Sequence, residues 1–410
     1  MVNLSAVFFL VAAAAAASGA DPPPTPPPAA SFQKIAPGGA TGCATGAPFS
    51  FFYRAGSVNK VVVEFQGGGA CWSAATCASP LFTTTAAPPK EDDQGIHSNT
   101  DARNPFRGWH HMFVPYCTGD IFAGNKTTEY QGASGNKFAI RHFGRANAQA
   151  ALNYVFANAP QNPDVVATVG CSAGSLGGYI NGPYVFDRYP KSRRFYFGDS
   201  FVGVMSTSQF RDGLENWDLQ FSPTVTGLDR ASLEEVANDP TIDAGVYIIS
   251  ATLAAYPKQQ FASYTSAGDG IQSGFFAAGS GVGVWHARMR ELISKVRAGF
   301  PDQYATFISP GYGHCRTQDD GMYSVESDTV KLSDWITSVV AGAPSPRNVD
   351  CARTGERECP STASTAGTAP APSPPATVAA KRNNAGTCRG RAAGFFFFLE
   401  VFAAVFIAMS

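Results

Sequence analysis

The chain has 410 residues, 44% of them hydrophobic, with 30 Lys and Arg against 31 Asp and Glu and a formal net charge of -1. Basic residues are scattered and no block of like charge occurs, which excludes a nucleic-acid-binding face and a polybasic membrane patch as organising features. Such a length permits a sizeable apolar core.

The first twenty residues, "MVNLSAVFFLVAAAAAASGA", hold an apolar run from Ala6 to Ala17 and end in small side chains. That run is too short to span a bilayer and fits a secretory signal peptide over residues 1–20, without the usual basic start. Residues 21–30, "DPPPTPPPAA", follow as a Pro-rich linker, because proline stops both helix and sheet. From residue 31 to 346 no linker-like segment or internal repeat interrupts the chain, so one domain is expected there.

Within that domain, apolar runs read as strands at Lys60–Gln66, His111–Cys117, Asp164–Gly170, Arg194–Asp199, Gln260–Ser266 and Tyr304–Ser309. Helical spacing lies between several of them, most clearly over His286–Gly299, where Met289, Leu292, Ile293 and Val296 recur at three and four residues. A closing helix is expected over Val330–Val340. Strands alternating with helices predict an α/β fold: a three-layer sandwich, α/β-hydrolase-like, with a mainly parallel central sheet and helices on both faces. Functional loops then gather at the carboxyl ends of the strands.

The third of these runs enters "GCSAGSLGG", Gly170 to Gly178. The GxSxG spacing places Ser172 at a sharp strand-to-helix turn, where small neighbours let strand and helix approach and expose the serine oxygen. The bland alternative is a glycine-rich helix start with a capping serine. A serine nucleophile needs a base, a group to orient that base and donors for the oxyanion. Among His97, His110, His111, His142, His286 and His314, only His314 lies in a loop after a strand late in the chain, within "ISPGYGHC". Asp269 follows the last strand before that of His314 and fits the order Ser, Asp, His; Asp199, also after a strand, stays open as an alternative. A loop cap that bonds backbone amides is the bland reading of Asp199. The triple glycine of "EFQGGGACW" ends the first strand and points to Gly69 and Ala70, with Ala173, as oxyanion donors.

Beyond the domain, residues 347–384 combine Cys351 and Cys359 with a Ser/Thr/Pro/Ala-rich stalk that cannot form a core. Residues 385–410 have the layout of a C-terminal lipid-anchor attachment signal, with the small triplet Asn384, Ala385, Gly386, a polar spacer and an apolar tail. The chain has nine cysteines; cleavage after Asn384 would discard Cys388 and leave an even set of eight, as an oxidising compartment favours. Asn125, in Asn125-Lys126-Thr127, is a glycosylation candidate.

With these residues in place the sequence resembles the pectin acetylesterase and Notum family of serine carboxylesterases. The marks are "FQGGGACW", "VPYCTGD", "GCSAGSLGG", "GDSFVG", Asp269 with Gln272, and "GHC", in one order from about Cys43 to Trp335. The resemblance implies a secreted or surface-anchored carboxylic ester hydrolase that uses Ser172, Asp269 and His314 with amides at Gly69, Ala70 and Ala173. It implies no cofactor and no metal. It also implies pairing of Cys43 with Cys117 and of Cys71 with Cys77. The sequence departs from the family where Ala70 replaces a tryptophan and where Ser175 replaces a glycine. Cys351 and Cys359 read as a local bridge outside the core, and the state of Cys171 and Cys315 stays open. The expected substrate is an acetylated polysaccharide; the alternatives are longer acyl esters of a lipid or protein, or a catalytically silent surface binding protein.

Overall fold

The computed structural model describes residues 31–89, 93–276, 281–343 and 347–359. The signal peptide, the Pro-rich linker, most of the stalk, Asn384, Cys388 and the anchor-attachment signal lie outside these residues.

The strands are β1 (Gln33–Ile35), β2 (Phe51–Arg54), β3 (Lys60–Phe65), β4 (His110–Val114), β5 (Lys126–Gln131), β6 (Lys137–His142), β7 (Val165–Cys171), β8 (Arg193–Asp199), β9 (Gln260–Ser266), β10 (Tyr304–Ser309), β11 (Glu326–Ser327), β12 (Val330–Lys331) and β13 (Val349–Asp350). Nine of them form one sheet in the order β1-β2-β4-β3-β7-β8-β9-β10-β13. From β4 to β13 every pairing is parallel, and only β1 and β2 join antiparallel. Strands expected at Gln260–Ser266 and Tyr304–Ser309 occur with those bounds. The β4 run stops at Val114, before Cys117, because Pro115 has no N–H to continue the ladder.

The helices are α1 (Ala74–Cys77), α2 (Gly144–Asn158), α3 (Ala173–Arg188), α4 (Thr207–Trp217), α5 (Arg230–Asn238), α6 (Ala244–Ala255), α7 (Gly270–Phe276), α8 (Gly281–Gly299), α9 (Gly321–Ser324) and α10 (Leu332–Ala341). Alternation along the strands builds two cores. Val61, Val63 and Phe65 of β3 pack with Ala148, Leu152 and Val155 of α2, while Tyr196 and Phe261 pack with Ile180, Ile249 and Leu253. On the opposite face Val62, Val169, Phe197 and Phe307 meet Trp335, Ile336 and Val339 of α10. These faces make the three layers expected of an α/β-hydrolase-like fold. No helix among the described residues is long and apolar enough to cross a membrane.

One boundary moves. Residues 347–359 do not lie outside the domain, because Val349 and Asp350 pair with Phe307 and Ile308 of β10. Val349 and Cys351 are fully buried, and Arg290 of α8 grips Asp350 at 2.8 Å. A two-residue strand carries too little pattern to be seen in sequence.

Candidate active site

The order of the strands reverses between β3 and β7: β4 lies to one side of β3, and β7, β8, β9 and β10 follow on the other. A crevice outside the strand ends is expected at such a point. Phe65 is in register with Gly170, so the triple glycine after β3 and Ser172 after β7 emerge side by side.

Ser172 has φ 54° and ψ -123°, a conformation that side chains rarely adopt, and makes no capping bond to α3. The flanking glycines explain how the chain holds it there. A Cβ at Gly174 would lie 1.9 Å from the Phe65 carbonyl oxygen, and one at Gly170 would lie 2.2 Å from that of Gly174. Only hydrogen at these positions lets α3 start so close to the sheet. The observed turn is thus the sharp strand-to-helix turn expected from the GxSxG spacing, and its serine does not cap the helix.

His314 lies in the irregular loop after β10. Its Nδ1–H donates to Asp269 Oδ2 at 2.8 Å, and its Nε2 is buried without a hydrogen-bond partner among the described residues. Asp269 is fully buried; its Oδ1 accepts from the backbone of Ile271 and Gln272 at 3.0 and 2.9 Å, and its Oδ2 from Gln272 Nε2 at 2.9 Å. Those amides, at the start of α7, fix the carboxylate and so the imidazole plane. Burial disfavours the imidazolium, but the charge and hydrogen bond of Asp269, with Asp199 behind, outweigh it and raise the His314 pKa above its ordinary 6.5. The bare Nε2 of the neutral ring can accept a proton.

Asp199 has other partners. Its Oδ2 accepts from Thr317 N at 2.8 Å and Thr317 Oγ1 at 2.6 Å, and its Oδ1 from Ser200 Oγ at 2.7 Å. It braces the histidine loop from below, as its reading as a loop cap had it.

Ser172, His314, Gly69, Ala70 and Ala173 all line one cavity of about 880 Å³, counted with its open mouth. Most of the remaining wall is apolar: Trp72, Leu176, Phe201, Met205, Phe210, Trp217, Phe221, Ile248 and Phe275 among others. Gly69 has φ 75°, and a Cβ there would lie 2.0 Å from Leu81 O, so the loop that brings residues 69 and 70 to the serine requires glycine. Much of the apolar wall comes from the segment between β8 and β9, where α4, α5 and α6 lie. No individual motif marks it, although Phe210, Leu214 and Trp217 do recur at helical spacing on α4.

Four disulfides are formed among the described residues. Cys43–Cys117, Cys71–Cys77 and Cys351–Cys359 are the expected pairs, and the fourth joins Cys171 to Cys315. Among the described residues, the group with metal-ligand chemistry that involves no disulfide is Glu64, His97 and His111, whose donor atoms lie within 4.8 Å of one another. Both imidazole Nε2 atoms already bond the carboxylate, at 3.0 and 2.7 Å, and Gln318 donates to it at 3.1 Å. Asn125 is exposed just before β5, accessible as a glycosylation site would be.

A family model for pectinacetylesterase matches residues 32–199. Pectin acetylesterase 7 and pectin acetylesterase 11 of Arabidopsis thaliana are each 26% identical, over 147 and 160 residues, or 34% and 37% of this chain. The matches span only 36% and 40% of the lengths of those relatives. The crystal structure of the Wnt deacylase Notum from Drosophila superposes with a TM-score of 0.60 at 18% identity, over 78% of this chain and 96% of that one. The sequence likeness covers the half of the domain that holds β1 to β8. The structural likeness extends the shared fold to the rest.

Proposed function

We propose that this chain, related to the pectin acetylesterase and Notum family, is a serine carboxylic ester hydrolase with Ser172 as nucleophile, His314 as base and Asp269 orienting the base. The observation that carries the reading is the strained, uncapped Ser172 sharing a cavity with the unpartnered Nε2 of a histidine whose Nδ1 is held by a buried carboxylate. Nε2 takes the Ser172 Oγ proton as the oxygen attacks the ester carbonyl. Amides at Gly69, Ala70 and Ala173 stabilise the oxyanion. His314 then protonates the leaving alcohol, and water attacks the acyl-enzyme with the same base assisting.

The apolar wall supports an acyl chain longer than acetate, as in the deacylase alternative. Each methylene moved from water into such a wall contributes about 0.8 kcal/mol, and an acetyl group would leave most of it unfilled. An acetylated polysaccharide remains the second reading, favoured by the pectinacetylesterase model and the names of the two plant relatives. The four disulfides and the exposed sequon support a secreted or cell-surface location.

A nitrophenyl ester series from acetate to palmitate, run beside Ser172→Ala, tests both readings. kcat/KM is expected to climb with chain length and to fall by about 10⁶-fold in the variant, the loss typical of removing a serine nucleophile. A maximum at acetate would return the substrate to the polysaccharide. Unchanged hydrolysis by Ser172→Ala would remove the serine from the reaction.

A further inference from the structure

The residue before the nucleophile and the residue after the base are bonded to each other. Cys171 is the last residue of β7 and Cys315 directly follows His314; they are 144 residues apart in sequence, with Cα atoms 5.5 Å apart. Both neighbouring backbones have unusual conformations, with φ 54° at Ser172 and 56° at Cys315. The histidine loop has no regular structure from residue 310 to 320, so its position depends on individual ties. Ser200, just after β8, accepts through Oγ from Cys315 N at 2.9 Å, and Asp199 at the end of β8 holds Thr317; from β9, Ser266 Oγ donates to Gly313 O. To β7, the strand that carries the nucleophile, the tie is the disulfide.

We infer that Cys171–Cys315 is a positioning bond that holds His314 in register with Ser172, so that thiol reduction reversibly silences the esterase. The inference rests on the reading of Ser172 and His314 as nucleophile and base. It does not follow from stability alone, because the bond joins the two catalytic loops rather than closing the fold's periphery.

Accessibility sets this bond apart from two others. Cys315 is half-buried, whereas Cys43, Cys117, Cys71 and Cys77 are all buried. A small dithiol can therefore reach the active-site bond before those two. The chemistry is ordinary exchange: a thiolate of the dithiol attacks Cys315 Sγ, the S–S bond breaks, and Cys171 leaves as a thiolate that takes up a proton. The second thiol then displaces Cys315, so the dithiol is oxidised to its cyclic disulfide as the cystine gains two electrons and two protons. Cys351–Cys359 has a half-buried member too and makes the natural comparison.

The experiment uses the whole secreted protein, assayed with a nitrophenyl ester before and after graded dithiothreitol treatment, with alkylation and mass mapping to report which cysteines have opened. The variants are Cys171→Ala/Cys315→Ala and Cys351→Ala/Cys359→Ala. A displacement of about 1 Å between reacting groups can cost about a hundredfold in rate. The expected result is a kcat loss of that order with KM little changed, in step with alkylation of Cys171 and Cys315, and recovery on reoxidation. The acid limb of the pH profile should shift along with it, since a loosened His314 no longer keeps its bond to Asp269; a purely structural bond would leave that limb in place. Cys351→Ala/Cys359→Ala should keep full activity and the same reductant response. If the untreated protein hydrolyses the ester and opening of Cys171–Cys315 leaves kcat unchanged, the positioning role is wrong while the esterase stands. If the untreated protein hydrolyses no ester, the esterase reading falls and this inference with it. Should the first double variant fail to fold, the reductant titration of the parent decides alone.

Discussion

Two histidine–carboxylate arrangements stand out among the described residues, and their bond lengths hardly distinguish them. His314 bonds Asp269 at 2.8 Å; His97 and His111 bond Glu64 at 3.0 and 2.7 Å. The differences lie in what surrounds the pairs. Glu64 shares its charge among two imidazoles and Gln318, with the Arg54 guanidinium bonded to the His97 carbonyl at 2.7 Å beside it. There burial wins over the carboxylate, and the His111 pKa falls to about 4. At His314 one carboxylate serves one imidazole, charge wins over burial, and the far nitrogen faces a cavity that also contains a strained serine. A carboxylate bond orients a histidine in either setting. Only the second leaves the oriented ring something to do.

The sharpest way to break this contrast is to neutralise each carboxylate. Asp269→Asn is expected to lower kcat by about 10⁴-fold with little loss of folding, because an amide can donate to Nδ1 and turn the imidazole to the wrong tautomer; steady-state kinetics and a melting curve check it. Equal activity in that variant would move the orienting role to Asp199. Glu64→Gln should do the reverse. The amide leaves buried imidazole N–H groups competing for one acceptor oxygen, and a buried donor left unsatisfied costs about 1–3 kcal/mol, so the loss should appear in denaturant unfolding, with kcat per folded molecule unchanged.

The smallest effect is in pH. For His314 the folded pKa lies above 6.5, so the proton that blocks the base is released only above that value; kcat/KM should rise with pH through an apparent pKa above 6.5, which Glu64→Gln leaves in place. For His111 the shift has the opposite sign. The unfolded imidazole takes up a proton near pH 6.5 while the folded one resists it down to about 4, so stability present above 6.5 is lost progressively between those values. His142, also held down to about 4 by burial, acts in the same direction. A melting temperature flat across that interval would contradict the burial of both rings as uncharged groups.

How much of this was legible in sequence follows from how local each feature is. Ser172 and the triple glycine carry their signal in neighbouring residues, because the close approach of Gly174 to Phe65 must be encoded where it happens. His314 was legible from chain order after a clear strand. Choosing between Asp269 and Asp199 was harder, since Asp199 ends β8 and Asp269 lies just after the neighbouring β9, and only their partners in space separate a group that bonds His314 from one that bonds Thr317. The apolar cavity wall was hidden for a related reason. Many of its residues come from the loops and helices between β8 and β9, whose apolar side chains look like any core-facing surface until the cavity beside them is seen. The bond between Cys171 and Cys315 spans 144 residues, a pairing that spacing alone cannot assign.

The chain's five tryptophans are unevenly placed: Trp72 and Trp217 line the apolar cavity, while Trp109, Trp285 and Trp335 are buried in the cores on either side of the sheet. The indole N–H of Trp217 is already committed to Cys71 O at 2.8 Å, and its ring faces the cavity contents. Filling that cavity with hydrocarbon would change the polarity around two of the five emitters and leave the other three as a constant background. The molecule thus carries its own optical gauge of occupancy, readable by intrinsic fluorescence during turnover without attaching a dye.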